Sequence, residues 1–364
     1  MAVKTLEISN FRNIEHTKLT LSPRVNIIFG NNGEGKTSLL EAIYYLSFGR
    51  SFRTRSAASL IQYEQDRLTL FASVDGKKLG ITKSQNGDSQ IRIEGETAGS
   101  NAELANLLPV QLINPDTYAL LNEGPKFRRE FLDWGVFHVE PRFLKAWREM
   151  QKSLKQRNLA LKMRAPKDEV VLWNPIFVNA SESIDEYRSQ YFSKFESKFL
   201  ETLEKLFKIK GLSVVYRRGW PEKESLSDLL ASSYSTDMRL SHTTFGPHRA
   251  ELEIQIDGIP AKDVLSRGQQ KLFVYAMRLA QGLLFSEETG RCCTYLIDDL
   301  PAELDAEKRD FILKLLLSFT SQVFVSAVEL ESLSFLLQHN DYRVFHVEQG
   351  VLSEHMPITT AVEH

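Results

Sequence analysis

Cysteine is scarce in this chain of 364 residues, which has only two, Cys292 and Cys293, next to each other. An adjacent pair supplies neither a disulfide framework nor a two-cysteine metal knuckle, so a reducing compartment fits. The opening residues MAVKTLEISNF lack the apolar core of a signal peptide. No run approaches the ~18 apolar residues of a membrane span. We therefore expect a cytoplasmic protein that does not enter a membrane.

The net charge is also small, because the chain has 45 basic and 47 acidic residues and therefore a formal charge of -2. A polyanionic partner would have to bind a local basic patch, since the net charge of the whole chain would not attract it. Hydrophobic residues make up 42% of the chain and charged residues 25%, as in ordinary folded proteins. The length allows roughly two domains, or one large α/β domain with an insertion.

Short alternating runs of β-branched residues predict the first strands, in AVKTLEISNF, TKLTL and RVNIIFG. The turn pairs Asp75-Gly76 and Asn86-Gly87 favour tight hairpins. These turns predict an antiparallel patch beside the first parallel strands.

The composition changes at about residue 126, where long, charged and glycine-poor sequence begins. Two amphipathic runs there predict an antiparallel pair of helices, and α/β alternation returns afterwards. We divide the chain into an N-terminal lobe (1–125), an inserted helical arm (126–240) and a C-terminal lobe (241–364).

The strongest pattern is GNNGEGKT, which fits G-x-x-x-x-G-K-[ST] between a predicted strand and a predicted helix. Gly30, Gly33 and Gly35 would let backbone N–H groups surround phosphates. Lys36 would supply charge to the terminal phosphates, and the Thr37 hydroxyl would hold magnesium. This P-loop predicts that ATP and Mg²⁺ bind. The predicted nucleotide contacts are Gly30, Asn31, Asn32, Gly33, Glu34, Gly35, Lys36 and Thr37.

A predicted strand, TYLIDDL, ends in Asp298 and Asp299. A carboxylate at Asp298 can hold the magnesium through water, while Asp299 could polarise the attacking water. Asp299 and Lys36 are therefore the candidate catalytic residues. A plain strand-end acid is the alternative for Asp299, and spacing alone does not assign the two roles.

The stretch LSRGQQK opens a long apolar helical run with Ser266, Arg267 and Gly268. Serine is a good N-cap, and glycine lets a backbone approach something closely. A capped helix and a binding surface are therefore both possible from these residues alone.

Four motifs together resemble the ATP-binding-cassette heads of the RecF family of bacterial recombinational repair proteins: ISNFRNI, GNNGEGKT, LSRGQQK and LIDDLPAELD. GRSFRTRS, FGPHRAEL and SQVFVSA agree in order and spacing, so the likeness covers essentially the whole chain. The resemblance implies an α/β fold: an ABC-type ATPase head with a mixed sheet, split by the arm.

The same resemblance implies how ATP would join two heads into a homodimer. Ser266, Gly268 and Gln269 would cap the nucleotide bound by the second subunit. Asp305 would lie in a loop that crosses the interface, and Arg12 would approach the nucleotide.

Three positions depart from the transporter pattern, and one of them is Arg267, which replaces a glycine of the transporter signature. Asp299 stands where transporters use a glutamate, so we expect a weak ATPase activity, stimulated by DNA, in which hydrolysis serves as a switch. Ser326 stands where many cassette ATPases have a histidine, and its hydroxyl would at best replace that γ-phosphate sensor.

Clustered basic residues are the candidates for contacts with DNA phosphates. A solvated charged face is the alternative. We also consider Lys152, Lys155 and Arg157 of the arm, whereas His248 and Arg249 are expected to form a structural turn. The principal DNA-binding candidates are Arg50, Arg53, Arg55, Lys126, Arg128 and Arg129.

As the resemblance implies, the dimer would act as a clamp on double-stranded DNA near single-strand gaps. It would work with RecR and RecO to help load RecA, in a nucleoid-associated setting. The alternatives are an ATPase subunit of a membrane transporter, a chromosome tether of the SMC type and an ATP-gated nuclease. The helical insertion argues against a transporter subunit, and the short arms argue against a chromosome tether. The lack of an extra acidic domain argues against the nuclease.

Overall fold

A computed structural model describes residues 2–54, 56, 58–300, 306–338 and 341–355. The chain forms two compact units, one made of Met1–Thr117 with Gly290–His364 and the other of Tyr118–Thr289. The three-part division at residues 126 and 241 stays a prediction. Among the described residues, no helix combines the length and apolar character needed to cross a membrane.

The strands are β1 (Val3–Phe11), β2 (Ile14–Thr20), β3 (Val25–Phe29), β4 (Arg67–Val74), β5 (Lys77–Ser84), β6 (Ser89–Ile93), β7 (Glu96–Thr97), β8 (Val110–Ile113), β9 (Leu212–Arg217), β10 (Glu251–Ile256), β11 (Ile259–Pro260), β12 (Thr294–Ile297), β13 (Val323–Ala327), β14 (Tyr342–Glu348) and β15 (Val351–Glu354). The helices are α1 (Lys36–Phe48), α2 (Asn101–Leu107), α3 (Ala119–Asn122), α4 (Pro125–Val139), α5 (Phe143–Lys162), α6 (Lys167–Val171), α7 (Asn174–Leu206), α8 (Leu226–Ser232), α9 (Tyr234–Leu240), α10 (Ala261–Val264), α11 (Arg267–Thr289) and α12 (Ala306–Ser318).

The first unit contains an antiparallel sheet in the order β2-β1-β4-β5-β6-β7. Asp75 and Gly76 both have positive φ, 48° and 83°, as the tight turn between β4 and β5 requires. The predicted antiparallel patch is confirmed. The expectation that the first strands are parallel is wrong for β1 and β2, which pair antiparallel within this sheet, whereas β3 lies in the other sheet.

The second sheet of this unit has the order β15-β14-β3-β13-β12-β8. Its strands run parallel except for β15, which is antiparallel to β14. Every residue of β12 and β13 is buried, as expected for the centre of a covered parallel sheet. Because parallel strands end at one edge, the residues that follow β3 and β12 and those that end β13 are brought together there.

The second unit is mostly helical, with a small antiparallel sheet in the order β11-β10-β9. Arg157 near the end of α5 bonds Asn174 at the start of α7, and Arg142 ahead of α5 lies over the ring of Tyr187. The two helices are therefore antiparallel, which confirms the predicted pair. α11 also packs on α7, and phenylalanines such as Phe199 fill the core.

Candidate functional site

The loop between β3 and α1 needs its glycines. φ is 150° at Gly30, 86° at Gly33 and 121° at Gly35, a region that other residues rarely adopt. A side chain at Gly30 would also place its Cβ 2.2 Å from the carbonyl oxygen of Val347. The sequence thus forms a tight glycine loop ahead of the N-terminus of a 13-residue helix, an arrangement suited to anions.

Lys36 lies inside this loop with only 6% of its surface exposed. Its Nζ donates hydrogen bonds to the carbonyl oxygens of Gly30, at 2.7 Å, and Asn31, at 2.9 Å. Burial lowers the pKa of Lys36, while the nearby carboxylates of Asp299, Asp298 and, least, Glu34 oppose that shift. A cationic group is therefore held where the loop would receive phosphates.

Thr37, the next residue, contacts the strand-end acid directly. Its hydroxyl donates to the Asp298 carboxylate, with distances of 2.9 Å to Oδ2 and 3.1 Å to Oδ1. Hydroxyl and carboxylate oxygens are the ligand types that Mg²⁺ takes beside substrate phosphates. The donor set fits the predicted metal ion, with Thr37 and Asp298 on the protein side.

Ser326, in β13, connects the two acids that follow β12. Its hydroxyl donates to Asp298 Oδ1 at 2.7 Å and accepts the backbone N–H of Asp299 at 2.8 Å. Asp299 has a φ of 54°, which is uncommon for a residue with a side chain. Both acids therefore lie at the loop as the sequence predicted, and their separate roles stay a prediction.

Asn13 supports the loop from outside, and the sequence analysis missed it. Its side-chain amide donates to the carbonyl oxygen of Glu34 at 2.9 Å, and its Oδ1 accepts from the Ser38 hydroxyl at 2.9 Å. The N–H of Gly350 donates to the same Glu34 carbonyl at 2.8 Å. The position of Asn13 inside ISNFRNI, directly after Arg12, was the available signal.

Arg12 is held against α1. Its guanidinium forms a two-pronged ion pair with Glu41, at 2.6 and 2.9 Å, and donates to the carbonyl oxygen of Ser59. Glu41 is fully buried and also lies 3.5 Å from Arg53. Contact of Arg12 with a nucleotide stays a prediction, and no sequence motif singled out Glu41.

The stretch LSRGQQK does form a capped helix. The Ser266 hydroxyl accepts the N–H of Gln269, and the Gln269 side chain accepts the N–H of Ser266, which is a capping box. Ser266, Gly268 and Gln269 are all exposed at this N-terminus, and a side chain on Gly268 would meet no described atom within 4 Å. The surface is open to a partner, whose contact with it stays a prediction. Asp305 lies outside the described residues.

Three of the six principal DNA-binding candidates are exposed, namely Arg50, Arg53 and Lys126. Lys126 has a loose ion pair with Glu130, at 3.8 Å, one turn along α4. Arg53 lies in an ion pair with the buried Glu41, so a phosphate contact from Arg53 or Lys126 would compete with these carboxylates. Arg55 lies outside the described residues.

Arg128 and Arg129 have partners inside the second unit. Arg128 forms a two-pronged ion pair with Glu251 of β10, at 2.7 and 2.9 Å, and donates to two carbonyl oxygens. Arg129 donates to the carbonyl oxygen of Ala250, and burial lowers its pKa. Arg128 connects α4 to β10 and Arg129 connects it to the residue before that strand, and a DNA contact from either stays a prediction.

The interpretation of Arg157 as a DNA contact is wrong. It is fully buried and forms an ion pair of 2.8 Å with Asp237, also fully buried. Periodicity did not separate this arginine from its exposed neighbours Lys152 and Lys155.

The turn expected around His248 is confirmed, since Pro247–Arg249 form a 3₁₀ turn. His248 bonds the carbonyl oxygen of Thr243 at 3.0 Å, and Arg188 donates to that of Pro247 at 2.9 Å. Burial lowers the pKa of His248 to about 4, so its ring is neutral near pH 7.

A family model and several known proteins match this chain over most of its length. The model described as RecF/RecN/SMC N terminal domain matches residues 2–353. The DNA replication and repair protein RecF of Pseudomonas syringae pv. syringae (strain B728a) is 44% identical over 361 residues, 97% of this chain and 98% of that protein. RecF of Pseudomonas putida (strain GB-1) is 44% identical over 362 residues, with the same coverage.

Solved structures give the same result for the fold. The recombination mediator protein RecF with ATP, in the RecFOR pathway, has a TM-score of 0.87 and 25% identity and covers 98% of both chains. An Smc head bound to the C-winged helix domain of ScpA has a TM-score of 0.57 at 16% identity, covering 98% of this chain and 97% of that one, which shows a likeness of fold alone. The expected ABC-type α/β head is confirmed, and the chain belongs to the RecF family.

Proposed function

We propose that this chain is an ATP-dependent DNA-binding protein of recombinational gap repair. The observation that carries the proposal is the contact of Thr37 with Asp298 beside the buried Lys36. A relative with 44% identity is named a DNA replication and repair protein, and a solved RecF carries ATP. ATP with Mg²⁺ is therefore the ligand we assign to the loop.

Bound ATP supplies the phosphates, and the energy of its hydrolysis, at this site. Lys36 offsets their charge and Thr37 and Asp298 hold Mg²⁺, while Asp299 orients and polarises the attacking water. The aspartate side chain is one methylene shorter than glutamate and reaches the water less well. Turnover is accordingly slow, and hydrolysis acts as a switch.

ATP also joins two copies of the chain. Ser266, Gly268 and Gln269 stand exposed at the N-terminus of a 23-residue helix, which favours negative charge. These residues cap the terminal phosphate of the nucleotide on the second copy, and Asp305 belongs to the same interface. The head-to-head homodimer is the form that binds DNA.

The dimer acts as a clamp on duplex DNA near single-strand gaps, through basic side chains that include Arg50, Arg53, Arg55 and Lys126. Contacts with phosphates give affinity that depends on salt and little on sequence. The chain works with RecO and RecR and promotes RecA loading, in the nucleoid. The name of the RecFOR pathway in the solved RecF structures supports these partners.

The proposal is tested by the affinity for a fluorescently labelled gapped duplex, measured with Mg²⁺ and either ATP or ADP. We expect tight binding with ATP only, and we expect Lys36→Met to remove the difference between the nucleotides. The proposal fails if wild type binds equally with ATP and ADP, or if Lys36→Met keeps the ATP response.

A further inference from the structure

We propose that Ser326 positions the two strand-end carboxylates and does not sense the terminal phosphate. The inference rests on the proposed function, because it concerns the same nucleotide site. It assigns to this serine a different task from the one expected of a residue that replaces a sensor histidine.

The Ser326 hydroxyl forms two hydrogen bonds inside the protein. A serine hydroxyl has a single proton to donate, and here Asp298 Oδ1 accepts it at 2.7 Å. The oxygen accepts the Asp299 N–H at 2.8 Å, and Ser326 is fully buried. Since the only proton is already used inside the protein, the hydroxyl has none left to donate to a phosphate.

Asp298 is 7% exposed and therefore largely removed from water. Ser326 and Thr37 both donate to its carboxylate, so the group is fixed from two sides. The Thr37 and Asp298 oxygens that meet here are the oxygens we assign to Mg²⁺. Because the Ser326 hydroxyl fixes these ligands, it affects metal binding equally with ADP and with ATP.

The backbone at Asp299 lies in the left-handed region. Its φ of 54° is costly for a residue with a Cβ, and such conformations persist where the surroundings hold them. The bond from its N–H to Ser326 is one such restraint. Ser326 thus helps to fix the backbone conformation from which the Asp299 side chain, the candidate catalytic carboxylate, extends.

The test compares wild type with Ser326→Ala and with Ser326→Thr, which restores a hydroxyl. The affinities for ADP and ATP are measured at increasing Mg²⁺ concentration and with chelator. We expect Ser326→Ala to weaken the Mg²⁺-dependent affinity for both nucleotides about tenfold, the size of a lost hydrogen bond to a charged group. Affinity in chelator should be unchanged, and Ser326→Thr should recover much of the loss.

Threonine could fail to fit the buried position of Ser326, so a second test is a double-mutant cycle that combines Ser326→Ala with Asp298→Asn. We expect Ser326→Ala to cost little more once Asp298 has been replaced. Additive losses would overturn the proposal, and so would a loss confined to ATP, which is the behaviour of a terminal-phosphate sensor.

Hydrogen exchange of the Asp299 amide tests the inference without nucleotide. Ser326→Ala removes the acceptor of this N–H, so its protection should fall in the metal-free protein while the thermal unfolding midpoint changes little. Unchanged protection would contradict the positioning role. If wild type binds neither nucleotide, the proposed function fails, and this exchange measurement still decides the task of Ser326.

Discussion

Arg157 and Asp237 form an ion pair of 2.8 Å in which neither side chain is exposed. Removing one partner leaves the other charge buried without compensation. We predict that Asp237→Asn lowers the free energy of unfolding by about 3–5 kcal/mol. Lys155→Met, at an exposed position on the same helix as Arg157, should stay within about 0.5 kcal/mol of wild type.

Urea denaturation followed by tryptophan fluorescence measures this difference, since Trp134, Trp147, Trp173 and Trp220 all belong to the second unit. A loss of less than about 1 kcal/mol in Asp237→Asn, the scale of an exposed pair, would contradict the structural role of the pair.

We expect Lys36 to make nucleotide binding depend on pH. Burial lowers its pKa from the ordinary 10.5, and only the cationic form attracts phosphate. We predict that affinity for ADP falls as the pH rises, beginning at a lower pH than for an exposed lysine. Lys36→Arg should bind more weakly but without this fall, since arginine stays charged throughout the range. Parallel pH curves for the two proteins would exclude Lys36 as the titrating group.

His248 gives a second pH dependence, this time of stability. Burial lowers the pKa of the folded state to about 4 from 6.5, so the unfolded chain binds the proton first. The contribution of neutral His248 is complete above pH 6.5 and is lost as the pH falls towards 4. The shift corresponds to up to about 3 kcal/mol.

Urea denaturation of wild type and His248→Gln at several pH values isolates this contribution from the carboxylates that titrate nearby. The difference between the two proteins should shrink between pH 6.5 and 4. A constant difference would show that His248 does not titrate as proposed.

Arg50 is the exposed candidate for a DNA phosphate contact that can be tested most cleanly, because it forms no ion pair with the residues that the structure describes. We predict that Arg50→Gln weakens DNA binding equally for different sequences and reduces the salt slope of log affinity by about one. Arg92→Gln, at an exposed position in β6, should leave the slope unchanged. Equal slopes in all three proteins would remove Arg50 from the interface.

Motifs with a strict local pattern were predicted well from the sequence. The glycine loop requires positive φ at fixed positions, so its spacing alone identifies the turn ahead of α1. The N-cap at Ser266 is local too, and the structure has it. In both cases the physical cause lies within a few residues of the pattern.

Contacts between distant segments were not predictable in the same way. Asn13 meets Glu34, and Ser326 meets Asp298, only because the fold brings separate strands and loops together. The burial of Arg157 follows from the packing of α5 against a residue far along the chain, Asp237, which helical periodicity in one segment does not record. Resemblance to a family directed attention to these motifs without fixing their partners.

Sedimentation of complementary variants tests the central claim, a nucleotide shared between two copies. Lys36→Met retains its Ser266 surface, and Ser266→Arg retains its loop, so one intact composite site exists only in the mixture. With ATP and Mg²⁺ we predict that wild type forms a dimer, that each variant alone stays a monomer and that the mixture recovers dimers. A Ser266→Arg variant that dimerises alone as well as wild type, or a mixture that stays monomeric, would contradict the account.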